Sequence, residues 1–216
     1  MKIAIIAAGG RIAQLVTERL LTEDRFADVA LTLAIRHPDQ LKHLANHPRV
    51  TIVKADLNDL TSVTSVVAGQ DLIFVAVVDH DAQNVPTRNV IAAMQAHQVD
   101  RIIYTNILGI YDEVPGEFGR WNLSMVAPGL AAAQNSDHLL ATSGLNYTTL
   151  RLPWLNDRDE IHYVVTHRDE PYIGVSGSRQ SVADLVLELI TTPDMGNFDS
   201  LGLADPATAG LDRPVY

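Results

Sequence analysis

The sequence predicts an α/β fold, a doubly wound, three-layer single domain built on one mainly parallel sheet. Three observations predict it. Short apolar runs alternate with stretches of helical periodicity along almost the whole chain. Runs such as DLIFVAVV are apolar on both faces, as strands covered by helices on both sides must be. No repeat, low-complexity tract or Pro/Gly-rich linker divides the 216 residues, a length that suits one large domain.

Each element has its own reason. KIAIIA (2–7) is a short apolar run suited to a buried parallel strand. Ile12, Leu15, Val16 and Leu20 follow at helical spacing, which predicts a helix over 11–22. VALTLAI (29–35), RVTIVKA (49–55), DLIFVAVV (71–78) and RIIYTNI (101–107) are the next four strands, with helices between them over 38–46, 59–68 and 84–97. A helix over 127–143 stops at Gly144, a residue at ease in the left-handed conformation that ends helices. NYTTLRL (146–152) is a sixth strand. SVADLVLELI (181–190) carries Val182, Leu185, Val186, Leu189 and Ile190 on one stripe behind Ser181 as N-cap, and a short strand over 200–203 closes the sheet. The irregular stretches, 106–126 and 152–180, follow strands five and six. Ligands of open parallel sheets bind at the carboxyl ends of strands, so substrate contacts are expected from these two loops.

Composition removes several function classes. A net charge of −10 argues against a broad phosphate-binding face, so no nucleic-acid partner is expected. The absence of cysteine excludes disulfides, thiolate metal sites and a cysteine nucleophile. The apolar N-terminal run is too short for a signal peptide, and no segment approaches the roughly 20 apolar residues of a membrane span. A cytoplasmic protein without a membrane partner is the expectation.

The first strand–helix turn reads Ala7-Ala8-Gly9-Gly10-Arg11-Ile12-Ala13. A dinucleotide fingerprint at such a turn is G-x-x-G-x-x-G in spacing. Its first glycine relieves the turn, its second admits the pyrophosphate, and its third permits close helix–strand packing. Here the middle position survives as Gly10 with Gly9 beside it, while Ala7 and Ala13 replace the others. The helix N-terminus still points positive partial charge at a phosphate. After the second strand stand Arg36 and His37, where an NAD-preferring protein presents an acidic residue to the ribose. Arg36 is suited to a ribose 2′-phosphate, which selects NADP with NAD left open; a solvated Arg at a strand end is the alternative. Asp56 and Leu57 end the third strand, placed for an adenine ring or, equally, for a helix N-cap. Ala76 and Val77 end the fourth, a small apolar surface for the nicotinamide ribose.

Taken with LAIRHPDQL, VKADLNDLTSV, RIIYTNILGIYDEVPG, SGLNYTTLRLPWL and SRQSVADLVLELI, the stretch IIAAGGRIAQLV gives a chain that resembles the atypical short-chain dehydrogenases/reductases of the NAD(P)H-binding, NmrA-like type. The resemblance extends over almost the whole chain and implies a Rossmann-like fold. It implies cofactor contacts from Gly10, Arg11, Ile12, Arg36, Asp56, Leu57 and Ala76, and places Pro153, Trp154 and Leu155 near the nicotinamide. Ala7 and Ala13 depart from the family's pattern, which bears on affinity rather than location.

The usual chemistry of that superfamily needs a Ser, a Tyr and a Lys four residues after the Tyr, the Lys lowering the phenol pKa for proton donation. The only lysines here are Lys2, Lys42 and Lys54, and the resemblance puts Gly129 and Ala133 at the Tyr and Lys positions. Thr105 and Asn106 remain at the end of the fifth strand; Thr105 suits a carbonyl or the nicotinamide amide, or else simply satisfies backbone. Tyr111 is suited to stacking on a flat substrate or donating a proton, or to anchoring its loop. Arg151 offers positive charge or pairs with a carboxylate at the sheet end. Asp79-His80-Asp81 reads as a solvated loop rather than a metal site, because neighbours on an extended strand point to opposite faces. Asp112, Glu113 and Glu117 read as a solvated acidic loop, and His138 is an outside candidate for proton transfer. Hydride transfer without a dedicated acid suits an easily reduced ring. The expected function is therefore NADP(H)-dependent reduction of a flat small-molecule acceptor such as a quinone or flavin. A non-catalytic NADP(H) sensor acting through a protein partner is the alternative, and a sugar-nucleotide epimerase or dehydratase fits least.

Overall fold

The computed structural model describes residues 1–216. Its eight-stranded sheet has the order β3-β2-β1-β4-β5-β6-β10-β8. The strands are β1 (Lys2–Ile6), β2 (Ala30–Ile35), β3 (Val50–Lys54), β4 (Leu72–Val75), β5 (Arg101–Ile107), β6 (Asn146–Leu152), β8 (Val164–Thr166) and β10 (Asp199–Ala204). All pairings are parallel except that of β8 with β10. A separate parallel pair joins β7 (Trp154–Asn156) to β9 (Ser176–Ser178).

Alternation along the strands builds the three layers. In β1, Ile3 and Ile5 face one side of the sheet, where α1 (Arg11–Thr22) and α5 (Arg179–Thr191) supply Val16, Leu20, Leu185 and Val186. Ala4 and Ile6 face the other, covered by α2 (Leu60–Val67), α3 (Val85–His97) and α4 (Gly116–Thr142) through Val63, Val67, Val90, Met94 and Leu140. A strand buried on both faces must be apolar throughout, and this is why these segments stand out in the sequence.

Several boundaries differ from those the sequence predicts. The helix expected over 38–46 is a 3₁₀ helix, Pro38–Leu44, entered through the proline. α4 begins at Gly116 rather than 127, so more than half of the first irregular stretch is helical. The N-cap of α5 is Ser178, whose hydroxyl accepts the Ser181 N–H, and not Ser181 itself. β10 lies inside the sheet, between β6 and the antiparallel edge strand β8. No helix is long and apolar enough to cross a membrane.

The strand order places the site. From β1 the chain runs outward to β2 and β3, then returns to β4 on the other side of β1. The connections after β1 and β4 therefore diverge, and a crevice opens between them at the carboxyl ends of the strands.

Candidate dinucleotide site

The turn after β1 is held at both sides. The Ala8 N–H donates to the Ala34 carbonyl and the Gly10 N–H to the Ala7 carbonyl, each at 3.1 Å. Ala7 adopts φ +62°, the left-handed region that glycine enters without strain. A Cβ at Gly9 would lie 2.6 Å from Ile35 Cδ1 and 2.9 Å from Gln40 Oε1, so a larger residue there would displace the ends of both side chains. Gly10, at φ −69°, needs no special conformation; a Cβ on it would stand 3.5 Å from the Ala7 carbonyl oxygen and 3.7 Å from that of Ala76, within the crevice. Ala13 is fully buried, its methyl taken up in the core where the third glycine is expected.

Gly10 is the N-cap of α1 and carries no side-chain cap. The backbone N–H groups of Gly9, Arg11, Ile12 and Ala13 donate to no backbone acceptor. A helix of 12 residues thus presents unpaired donors and the positive end of its dipole toward the crevice. This arrangement suits an anionic diphosphate.

Gly9 and Gly10, at the foot of that helix, line a cavity of about 400 Å³ that touches the ends of four strands. Of the residues predicted from sequence, Gly9, Gly10, Arg36, His37, Asp56, Leu57 and Val77 line it. Arg11, Ile12 and Ala76 do not line it; Arg11 and Ile12 follow Gly10 in the first turn of α1, and the Ala76 carbonyl oxygen would stand 3.7 Å from a Cβ on Gly10. Its size falls within the range of small-molecule sites, roughly 300–1,000 Å³. Residues that sequence reasoning did not assign also line it, among them Gln40, Asp79, His80, Pro86 and Tyr104.

At the far end of the cavity Arg36 and His37 are exposed, and Arg36 makes no ion pair. Asp56 is not the cap of α2; Asp59 caps it, accepting the Thr61 N–H at 3.0 Å. The Asp56 carboxylate instead accepts from the Asn58 backbone N–H at 2.9 Å and side-chain amide at 3.1 Å. The backbone bond above all holds its carboxyl below the usual range against a smaller desolvation, with help from the amide and the Arg36 charge.

The Asp79-His80-Asp81 segment is not the solvated loop that the sequence predicts. Asp79 is 3% exposed and accepts from the Thr87 N–H at 3.1 Å and hydroxyl at 2.6 Å. The Thr87 hydroxyl also meets Tyr104 Oη at 3.1 Å and Ser136 Oγ at 2.8 Å. Burial, chiefly, pushes the Tyr104 phenol well above its ordinary value, so it stays protonated. Asp81 accepts from the Gln83 and Val85 N–H groups. Both aspartates thereby fasten the start of α3 and leave His80, exposed, between them.

The remaining predicted residues lie off the cavity wall. Thr105 is 2% exposed and its hydroxyl donates to the Val75 carbonyl at 3.1 Å. The Tyr111 hydroxyl donates to Asp137 on α4, and both burial and that carboxylate push its phenol well above the ordinary value. The Tyr111 ring sits 5.4 Å from each of the Arg151 and Arg168 guanidiniums and opens on a separate polar cleft. The Glu113 side chain, expected to be solvated, is 3% exposed and pairs with fully buried Arg151 at 2.8 Å. Pro153, Trp154 and Leu155 enter the small β7–β9 sheet, where Trp154 packs on Trp121 at 4.7 Å and donates to Asn122. Arg11 pairs with Asp157, which also pairs with Arg179 and ties the loop after β7 to α1. His138 is exposed on α4 and does not line the cavity.

Ala133 is buried in α4, and its carbonyl accepts from the Asn106 amide at 2.9 Å. A Cβ at Gly129 would lie 2.9 Å from His80 Nδ1. The absence of a side chain on α4 at this point is therefore matched by an imidazole from the β4–α3 segment.

Comparison with known proteins agrees with this fold and with a dinucleotide ligand. A short-chain dehydrogenase/reductase from Veillonella parvula, crystallised with NADP, matches all of this chain and 99% of its own length at TM-score 0.91 and 24% identity. A Rossmann-fold NAD(P)-binding family protein from Shigella flexneri is 31% identical, with coverage of 100% and 98% and TM-score 0.79. ChuY, an anaerobilin reductase from Escherichia coli O157:H7, covers both chains fully at TM-score 0.79 and 22% identity. Residues 7–193 match the NAD(P)H-binding family. The chain belongs to the NAD(P)H-binding family and has a Rossmann-like fold.

Proposed function

We propose that the protein is an NADPH-dependent reductase of a flat small-molecule acceptor such as a quinone or flavin. The observation that carries this reading is the pairing, across one cavity, of the free N–H groups at the start of α1 with the unpaired Arg36. The first group suits a pyrophosphate and the second a ribose 2′-phosphate. The NADP bound by the Veillonella parvula protein of similar fold supports the same choice. Asp56 and Leu57 then meet the adenosine, and Ala76 and Val77 border the nicotinamide ribose. Bound in its reduced form, the cofactor supplies a hydride.

The chain's own contribution is binding and orientation. Gly9 and Gly10 let backbone approach the diphosphate, and Arg36 fixes the adenosine end. With no lysine near α4, no ammonium group lowers a phenol pKa, and this favours acceptors whose rings take a hydride readily. That one fold neighbour is named a reductase is consistent with turnover. The test is steady-state oxidation of NADPH and NADH with a panel of quinones and flavins. NADPH oxidation dependent on an acceptor supports the reading. Tight NADPH binding without turnover of any acceptor would replace it with a sensor that reports cofactor occupancy to a protein partner.

A further inference from the structure

The geometry points to His80 as the group that delivers the proton to the acceptor, an inference that rests on the reductase reading above. Histidine is the side chain that changes charge near neutrality and so gives and regains a proton readily. Two histidines line the dinucleotide cavity. His37 follows β2, at the end assigned to the adenosine, whereas His80 follows β4, beside Val77 and Val78. The Tyr104 phenol on the same wall is engaged with Thr87 and held protonated by burial.

His80 is also positioned by its surroundings. Its backbone is gripped on both sides, because Asp79 accepts from Thr87 and from the Asp81 N–H, while Asp81 accepts from Gln83 and Val85. Its ring rests against α4 where Gly129 leaves room, and any side chain at 129 would meet Nδ1 at 2.9 Å and Cε1 at 3.5 Å. An exposed imidazole with a fixed backbone and a reserved berth can donate inward and be refilled by water. The acceptor ring gains two electrons and one proton as a hydride from the reduced nicotinamide, and a second proton from the His80 imidazolium. The nicotinamide is left oxidised, and the imidazole recovers its proton from solvent.

Two measurements test the assignment. In the first, imidazole nitrogen signals of the eight histidines are followed by NMR during titration with NADP+, with His80 assigned by its loss in His80→Gln. The His80 signal should move on binding and should already be displaced in Gly129→Ala. A His80 signal indifferent to both would overturn the placement. In the second, acceptor-dependent NADPH oxidation is compared in wild type, His80→Ala and Gly129→Ala. Loss of a general acid slows turnover on the order of a hundredfold. His80→Ala should show that loss with little change in NADPH affinity, and added imidazole should restore part of the rate. Gly129→Ala should slow the same step while melting no lower than wild type. Wild-type turnover that His80→Ala retains in full would overturn the inference and leave the reductase reading standing. A wild type that binds NADPH but turns over none of the acceptors would sink the reductase reading, and this inference with it.

Discussion

The Ala7 carbonyl accepts the Gly10 N–H at 3.1 Å, closing the turn that links β1 to α1 with Ala7 at φ +62°. One residue of this pair bears the conformational cost of the turn, and the other borders the crevice. Sequence alone gives both positions the same name, a fingerprint glycine. The structure separates their duties, and each duty has its own test.

Replacing Ala7 by Gly should stabilise the protein. A left-handed residue with a Cβ costs about 1–2 kcal/mol, and the added freedom of glycine in the unfolded chain offsets roughly 0.4–1 kcal/mol of that. A net gain of up to about 1.6 kcal/mol is expected, read as a raised midpoint in urea with an unchanged slope. A lowered midpoint would contradict the strain at Ala7.

Gly10→Asp should separate stability from binding. Its φ of −69° and ψ of 153° suit an N-cap, and Asp there can accept the N–H groups of the first turn of α1. Folding should therefore be unharmed or slightly favoured, by a few tenths of a kcal/mol. The same carboxylate would occupy and repel the approach of a diphosphate, so NADPH binding should be largely lost. A folded variant with unchanged NADPH affinity would remove this turn from the site.

Arg151 and Glu113 predict a large structural effect away from the cofactor. The guanidinium is fully buried, pairs with Glu113 at 2.8 Å and donates to the carbonyls of Thr166, His167 and Ser200. Arg151→Met would leave Glu113 buried without its counter-charge, a loss of roughly 3–5 kcal/mol. Adding Glu113→Gln should recover part of it. Thermal melts of the single and double variants check this, and a fully additive double variant would deny the pairing.

How much could be read beforehand follows from how local each signal is. The first six strands and α1 were legible because burial on both faces leaves uninterrupted apolar runs, and one buried stripe leaves a helical period. The cavity-lining residues Gly10, Arg36, Asp56 and Val77 were legible because a fixed strand order puts every strand end at one crevice. The first part of α4 was not, since Gly116, Gly119 and Pro128 read as breakers. In the fold Gly119 is demanded by packing, for a Cβ there would stand 1.9 Å from the Val114 carbonyl oxygen. The burial of Glu113 and Asp79 was hidden for a different reason. Arg151 lies 38 residues beyond Glu113, and Thr87, though only eight beyond Asp79, belongs to the next helix; a carboxylate gives no local sign of either pairing. The short strands β7, β8 and β9 have three residues each, too few for a period to show.

The most direct test of the cofactor site is the pair of dissociation constants for NADPH and NADH, in wild type and in Arg36→Ala. A hydrogen bond to a charged group contributes about 1.5–3 kcal/mol. If Arg36 holds the 2′-phosphate, the variant should lose about tenfold to a hundredfold in NADPH affinity while its NADH affinity stays near wild type. Equal losses for both cofactors, or no loss for either, would contradict the account and leave Arg36 a solvated residue at the end of β2.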